Sequence, residues 1–344
     1  MAPLLSQPLA GEMFPRRGEA TLVDDLVERG RVVDALAALR KPAKASAQRD
    51  ARLPTLAAKV ESLERLFAHM DSAVWGKPKG KEGSLLVWHH AKEHIHFFKA
   101  HIVLDVPPMD LLVIVREWDL VPTWNGRNVP RAIIMDEPSL VSLRAAAELW
   151  LPSPFSNRSV AFDAEGFDVL DSHGVLAIDF ATTEGAMRAM PEQLAHLEHV
   201  AFVAPSGMRI VPRSSASASA PGARATSDRC EITWTMGLDP KTLPVPSWLV
   251  DFVMSIIAPF VHKELVKVVA SIKGEYAVRK QQRNTLYGPL GARCDEHVQR
   301  RLAAEPRDAA AVSMGAPSVR PRRGFFESLG FGLRPPTPHH AATA

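Results

Sequence analysis

The sequence predicts an α+β protein in which a meander of antiparallel hairpins precedes one long apolar helix. Three stretches carry that reading. In "HIHFFKAHIVLDV", His96, Phe98, Ala100, Ile102 and Leu104 fall on one face of a strand, and Ile95, Phe97, Lys99, His101 and Val103 on the other. After residue 158 the short alternating segments "SVAF", "FDVLD", "VLAIDF", "HVAFV" and "MRIV" follow one another, with Gly166, Gly174 and Gly207 between them. "RCEITWTM" then alternates most cleanly, with Cys230, Ile232, Trp234 and Met236 on one side. Last comes "LPVPSWLVDFVMSIIAPFVHKELVKVVASI", a helix that is greasy on more than one side and must therefore cover a broad apolar surface. A sheet curved around it would supply that surface.

The elements can be justified in order. Residues 1–20 read as a flexible N-terminus. In 21–75, Leu22, Val23, Leu26, Val27, Val33 and Leu36 recur at helical spacing, then Leu56, Val60, Leu63, Leu66 and Phe67 after a break near "KPAKASAQRD". This predicts a helical hairpin. "SLLVWHH" is a strand preceding the one at 95–104. "PPMDLLVIVREWDL" is a helix with proline at its start, and "VPTWNGRNVP" a loop. "EPSLVSLRAAAELWL" is ambiguous: Leu140, Leu143, Ala147, Trp150 and Leu151 fit a helix, and its end fits a strand. "RSSASASAPGARATSD" cannot build a core and reads as a flexible loop. Pro246 and Ser247 are good helix-start residues, and Pro259 predicts a kink. Residues 276–344 are expected to form a basic, mostly disordered tail behind a main domain spanning 76–275.

Composition narrows the function. The chain has 344 residues, is 46% apolar and carries a formal charge of only +3, which argues against wholesale nucleic-acid binding. From Lys263 onward, 14 Lys and Arg stand against 7 Asp and Glu, a surplus of +7 that leaves about −4 for the remainder. A basic tail suits an anionic membrane surface, and equally a solvated tail. Two cysteines, Cys230 and Cys294, give neither a disulfide framework nor a zinc pattern and suit a reducing compartment. The N-terminus lacks the apolar core of a secretory signal, and a plastid address is left open. The longest apolar run, "WLVDFVMSIIAPFV", has 14 residues, against the ~20 needed to span a bilayer. The expectation is a cytoplasmic protein, with peripheral membrane contact through the tail as an option.

Three segments, taken in order, resemble the START domain, the lipid-transfer module related to steroidogenic acute regulatory protein. They are "LLVIVREWDLVPTWN" at 111–125, "LPSPFSNRSVAF" at 151–162 and "DPKTLPVPSWLVDFV" at 239–253. Ser153 stands where that family often has tryptophan, and Ser159 replaces its usual aspartate. The resemblance covers roughly residues 84–273. It implies a helix-grip fold: a curved antiparallel sheet around a long C-terminal helix, enclosing an apolar tunnel for one lipid.

Candidate sites follow. Arg158 cannot be neutralised, so if partly buried it needs a carboxylate or several carbonyls. Asp163, Asp168 and Asp179 are the candidate partners, and a lipid head group is the other. Arg144 and Glu148 pair across a turn if helical. If on a strand they point the same way, toward a tunnel wall where they could anchor a hydroxyl or phosphate. Trp234 and the closing-helix residues Trp248, Phe252, Val253, Ile256 and Phe260, with Leu249 and Ile257, are core under any reading and tunnel wall under the lipid reading. The histidines of "WHHAKEHIHFFKAH" lack the third and fourth converging ligands that zinc requires, so no metal and no cofactor are expected. "RPRRGFFESLGFGLRPP" combines arginines with Phe325, Phe326 and Phe331, a mixture suited to a bilayer interface or a docking peptide.

Three functions compete. A carrier or sensor would bind a sterol, phospholipid or similar lipid as a monomer and perform no reaction. The absence of a G-x-S-x-G or P-loop motif fits that. An enzyme on the same fold, of cyclase or hydrolase type, would need a titratable pair facing the tunnel, with His173, Asp179, His199 and Glu231 as candidates. A pure interaction module would fill its interior with its own side chains.

Overall fold

The structure is a computed structural model, and it describes residues 19–40, 50–215, 225–241 and 245–304. The strands are β1 (Lys79–Lys81), β2 (Leu85–Lys92), β3 (Ile95–Leu104), β4 (Arg131–Ser139), β5 (Ser142–Leu149), β6 (Arg158–Val169), β7 (Val175–Ala181), β8 (Ala201–Arg213) and β9 (Arg229–Asp239). They form one sheet in the order β1-β2-β3-β9-β8-β7-β6-β5-β4, antiparallel throughout. The first and last thirds of the meander therefore meet at the β3–β9 pair, which is the only long-range closure this sheet requires.

The strict alternation assigns each side chain to a face. The outer face takes the N-terminal helices α1 (Glu19–Glu28), α2 (Val32–Arg40) and α3 (Leu53–Met70). Val23, Val33, Leu36, Leu56, Val60, Leu63 and Leu66 pack there against Phe167, Val169, Val175 and Ala177. The expected hairpin is thus three helices. Gly30 divides the first, because its φ of +72° ends α1 and turns the chain into α2. The inner face takes α4 (Pro108–Arg116) and the closing helix. Short helices α5 (Pro122–Asn125), α6 (Leu170–His173), α7 (Glu184–Arg188) and α8 (Glu192–Ala195) connect these parts. This is the helix-grip arrangement.

The closing helix runs from α9 (Ser247–Phe252) through one π-helical turn (Val253–Ile257) into α10 (Ala258–Val269). Pro259 explains the turn. Its missing N–H cannot serve the carbonyl one turn back, and the helix widens just ahead of it. Val250, Met254, Ala258, Leu265 and Val269 face the inner side of the sheet.

Several expectations change. The ambiguous segment at 137–151 is strand β5 with the end of β4, so the two form a hairpin. "VPTWNGRNVP" contains the helical turn α5. "SVAF" and "FDVLD" are one strand, β6, and "HVAFV" and "MRIV" are one strand, β8, whose register shifts between Val203 and Gly207. Beyond 274 there is a helix pair where the sequence suggests a tail: α11 (Glu275–Gln282) and α12 (Asn284–Ala304). Tyr276, Tyr287, Cys294 and Val298 are buried, the first three in the same core as Leu111, Ile210 and Ile232. Gly291 lets α12 approach α4, since a Cβ there would lie 3.2 Å from Met109. Most of the serine-rich loop and the segment with Phe325, Phe326 and Phe331 lie outside the described residues. No described helix is long and apolar enough to cross a membrane.

Candidate functional site

The inner face is covered unevenly, and the change occurs at one level across β3, β9, β8 and β7 and one inward position later on β2. At one end Leu85 and Val87 of β2, Ile102 and Leu104 of β3, Cys230 and Ile232 of β9, Ile210 of β8 and Leu176 of β7 are buried. They lie under α4, the closing helix and the α11–α12 pair. The following inward positions on those strands are His89, Ala100 and Phe98, Trp234 and Met236, Met208, and Ile178 and Phe180, and all are only half-buried. Register places them side by side: His89 opposite Phe98, Phe98 opposite Met236, Trp234 opposite Met208, and Met208 opposite Ile178. The result is a band of large, mostly apolar side chains on a concave wall. Opposite, Leu249 and Met254 are buried while Val253 and Ile257 are half-buried.

Trp118 closes one side of the band. It follows α4 and meets Phe162 of β6 edge-on, with ring centroids 5.2 Å apart. Phe162, Phe180 and Phe202 continue as a ring cluster at 5.3–5.9 Å. On the other side, His89 Nε2 and His96 Nδ1 lie 3.1 Å apart. Burial, reinforced by the neighbouring charges of His96 and His90, pulls His89 down to about 4, and burial lowers His96 as well, which favours the neutral form of both rings.

The sequence-predicted residues divide between three places. Trp234 stands in the middle of the band. Val253 is half-buried in the π-turn; Phe252 lies near Trp150, with centroids 6.3 Å apart, and Phe260 near Arg127, whose guanidinium carbon is 5.6 Å from the ring. Trp248 and Ile256 do not sit on an inner wall. They are 45% and 53% exposed, and Trp248 stacks on Phe155 at the rim. Arg144 and Glu148 point the same way, as a strand requires, but outward. Arg144 pairs with Asp163 at 2.7 Å, and Glu148 accepts from Asn157 and lies 3.4 Å from Arg131. Strand parity decides this: Ala145 and Ala147, between and beside them, hold the inward positions.

Arg158 is buried on the inner side of the first residue of β6, and its partner is none of the three aspartates proposed. Its guanidinium pairs with Glu198 at 2.7 Å and donates to the Ser156 carbonyl and hydroxyl. It holds the bend at 152–157 against the segment that enters β8. The residues considered for an enzyme lie away from the band. Asp179 accepts from Ser62 and Glu231 from Arg213, both on the outer face, and His173 contacts Glu64 of α3. His199 meets the hydroxyl of Ser159, which has no exposed surface, at 2.6 Å. Among the described residues no cluster of three or more His, Cys, Asp or Glu could hold a metal ion.

Two concavities open on the outer face. One of about 420 Å³ lies between α7 and the start of β8, lined by Thr183, Met187, His199 and Lys241. The other, about 580 Å³, follows the groove between α3 and β6–β7.

In architecture the chain is a helix-grip protein with added helices at both ends of the sequence. It is similar in fold to human STARD10, at 18% identity over 66% of this chain and 86% of that one (TM-score 0.47). It is also similar to human StAR-related lipid transfer protein 5, at 13% identity over 63% and 97% (TM-score 0.49). A STAR-related lipid transfer protein of Xanthomonas axonopodis matches at 16% identity over 58% and 99% (TM-score 0.44). No family model and no curated protein matches the sequence.

Proposed function

We propose that the half-covered band is the wall of a binding site for a single hydrophobic lipid, and that the protein is a non-enzymatic lipid carrier or sensor. One observation carries this. Inward side chains of the curved wall change from buried to half-buried at the same level on β3, β9, β8 and β7, and one inward position later on β2, although a packed core would bury them completely. Each methylene of a lipid tail buried against them contributes about 0.8 kcal/mol, so an apolar wall is sufficient chemistry for binding. The exposed Trp248 and Ile256 mark the rim of that wall, and the π-turn at Val253–Ile257 supplies the weakest stretch of the closing helix.

The test is extraction of the purified full chain with organic solvent, followed by mass spectrometry. A lipid in stoichiometric amount supports the carrier reading. Phe252→Asp should abolish uptake, because a carboxylate at that half-buried position opposes entry of an apolar chain. Uptake that survives the substitution puts the wall elsewhere, and a chain that never yields lipid under any loading condition ends the proposal.

A further inference from the structure

Two half-buried tryptophans of the inner side have buried indole N–H groups without a bonding partner among the described residues. The Nε1 atoms of Trp118 and Trp234 have almost no accessible surface, and neither has a hydrogen-bond partner among the described residues. The contrast with other tryptophans is sharp: Trp75 donates to the His69 carbonyl at 2.7 Å and Trp124 to the Tyr276 hydroxyl at 3.1 Å. A buried donor without an acceptor is costly and uncommon in folded proteins. Trp234 lies in the half-covered band, and Trp118 packs on the cluster that contains Phe162, Phe180 and Met236. Both therefore border the same concave surface.

The charges of that surface are already spent. Arg158 and Asp168 are the charged residues that strand register places on the inner side of β2, β3 and β5–β9. Arg158 is matched by Glu198 and Asp168 by Arg293. His89 and His96 face each other. What these strands leave for an occupant is apolar surface and neutral N–H donors.

We infer that the occupant is an uncharged lipid bearing an acceptor oxygen, a hydroxyl or a carbonyl, received by the indole N–H of Trp234 or Trp118. This rests on the lipid reading above. It deepens that reading by selecting neutral lipids over those with a phosphate head group, for which the inward positions of β2, β3 and β5–β9 offer no unpaired cation; Arg127, over the Phe260 ring, lies outside those strands.

The experiment uses the full chain, stripped of lipid and incubated with phosphatidylcholine vesicles containing cholesterol and diacylglycerol. After separation, the protein-bound lipid is identified by mass spectrometry. Cholesterol or diacylglycerol should be taken up and phosphatidylcholine left behind. Trp234→Phe or Trp118→Phe keeps a ring and removes the donor, and at least one should weaken uptake about 3- to 10-fold, the effect of one neutral hydrogen bond. Ultraviolet resonance Raman on the unaltered chain should show an indole N–H band shifting toward a hydrogen-bonded position on loading. Preferential uptake of phosphatidylcholine overturns this inference and leaves the carrier intact. So does an unmoved indole band with both variants at full affinity. Uptake of no lipid overturns both.

Discussion

The hydroxyl of Tyr287 donates to Glu117 across 3.1 Å, joining helix α12 to a carboxylate with no exposed surface. Glu117 also meets Arg279 at 3.1 Å, Arg283 at 3.0 Å and Arg116 at 3.4 Å. One acidic residue next to α4 thus anchors the C-terminal helices through two cations, Arg279 and Arg283, and a phenol. Removing it takes one carboxylate from three guanidinium groups, each of which keeps another: Asp119 for Arg279, and Glu137 for Arg283 and Arg116. Glu117→Ala should cost about 1.5–3 kcal/mol, the loss of charge-assisted hydrogen bonds. Tyr287→Phe leaves Glu117 its arginines and should cost about 1 kcal/mol. Urea unfolding midpoints of the two variants test this, and equal midpoints would show that the cluster does not hold α12.

Gly30 makes a second checkable joint. Its carbonyl accepts from the Asp168 backbone N–H at 3.1 Å, and a Cβ at this position would lie 2.6 Å from the Gly166 carbonyl. The left-handed φ adds its own penalty for any other residue. Gly30→Ala should destabilise the protein by about 1–3 kcal/mol. Hydrogen exchange should quicken first in α1 and α2. An unchanged exchange pattern there would mean the contact is dispensable.

Acid should weaken the fold well before its carboxylates titrate. His69 is drawn down to about 4 by burial, with His90 and Lys99 adding to it, and His89 falls to about the same value. In the unfolded chain both titrate near ~6.5. Between those limits the unfolded state binds protons that the folded state refuses, so stability is complete above about pH 6.5 and declines as pH falls toward 4. Unfolding free energy measured from pH 7.5 to 4.5 should show that decline, and His89→Gln should make it shallower. A flat profile in the unaltered chain would contradict the burial of these rings.

Legibility followed period and failed where contacts are distant. The inner and outer sets of β9 are plain because Ile232 and Trp234 alternate with Glu231, Thr233 and Thr235, and on β3 Lys99 and His101 break the apolar run at every second position. The β5 segment was undecided because Ala145, Ala146 and Ala147 satisfy a helix and a strand alike. Gly288, Pro289 and Gly291 are breakers by local chemistry, yet α12 runs through them, held by Tyr287, Cys294 and Arg293 against parts of the chain more than 100 residues away. Arg158 was recognised as needing a carboxylate, but Glu198 is 40 positions distant and no local pattern points to it. Trp234 was found by alternation. Trp118 had no such signal, since "REWDL" says nothing about where the indole ends up.

The end of β6 has a mechanical consequence. The backbone N–H of Asp168 is tied to Gly30, and its carboxylate to Arg293 at 2.5 Å. Three residues on, Asp171 holds Arg31 at 3.1 Å on one side, and Arg293 and Arg300 at 2.9 and 2.8 Å on the other. The two flanks of the polypeptide are buckled together at this spot. A pull on either terminus, as in a single-molecule stretching measurement, would load the same clasp before it reached the sheet.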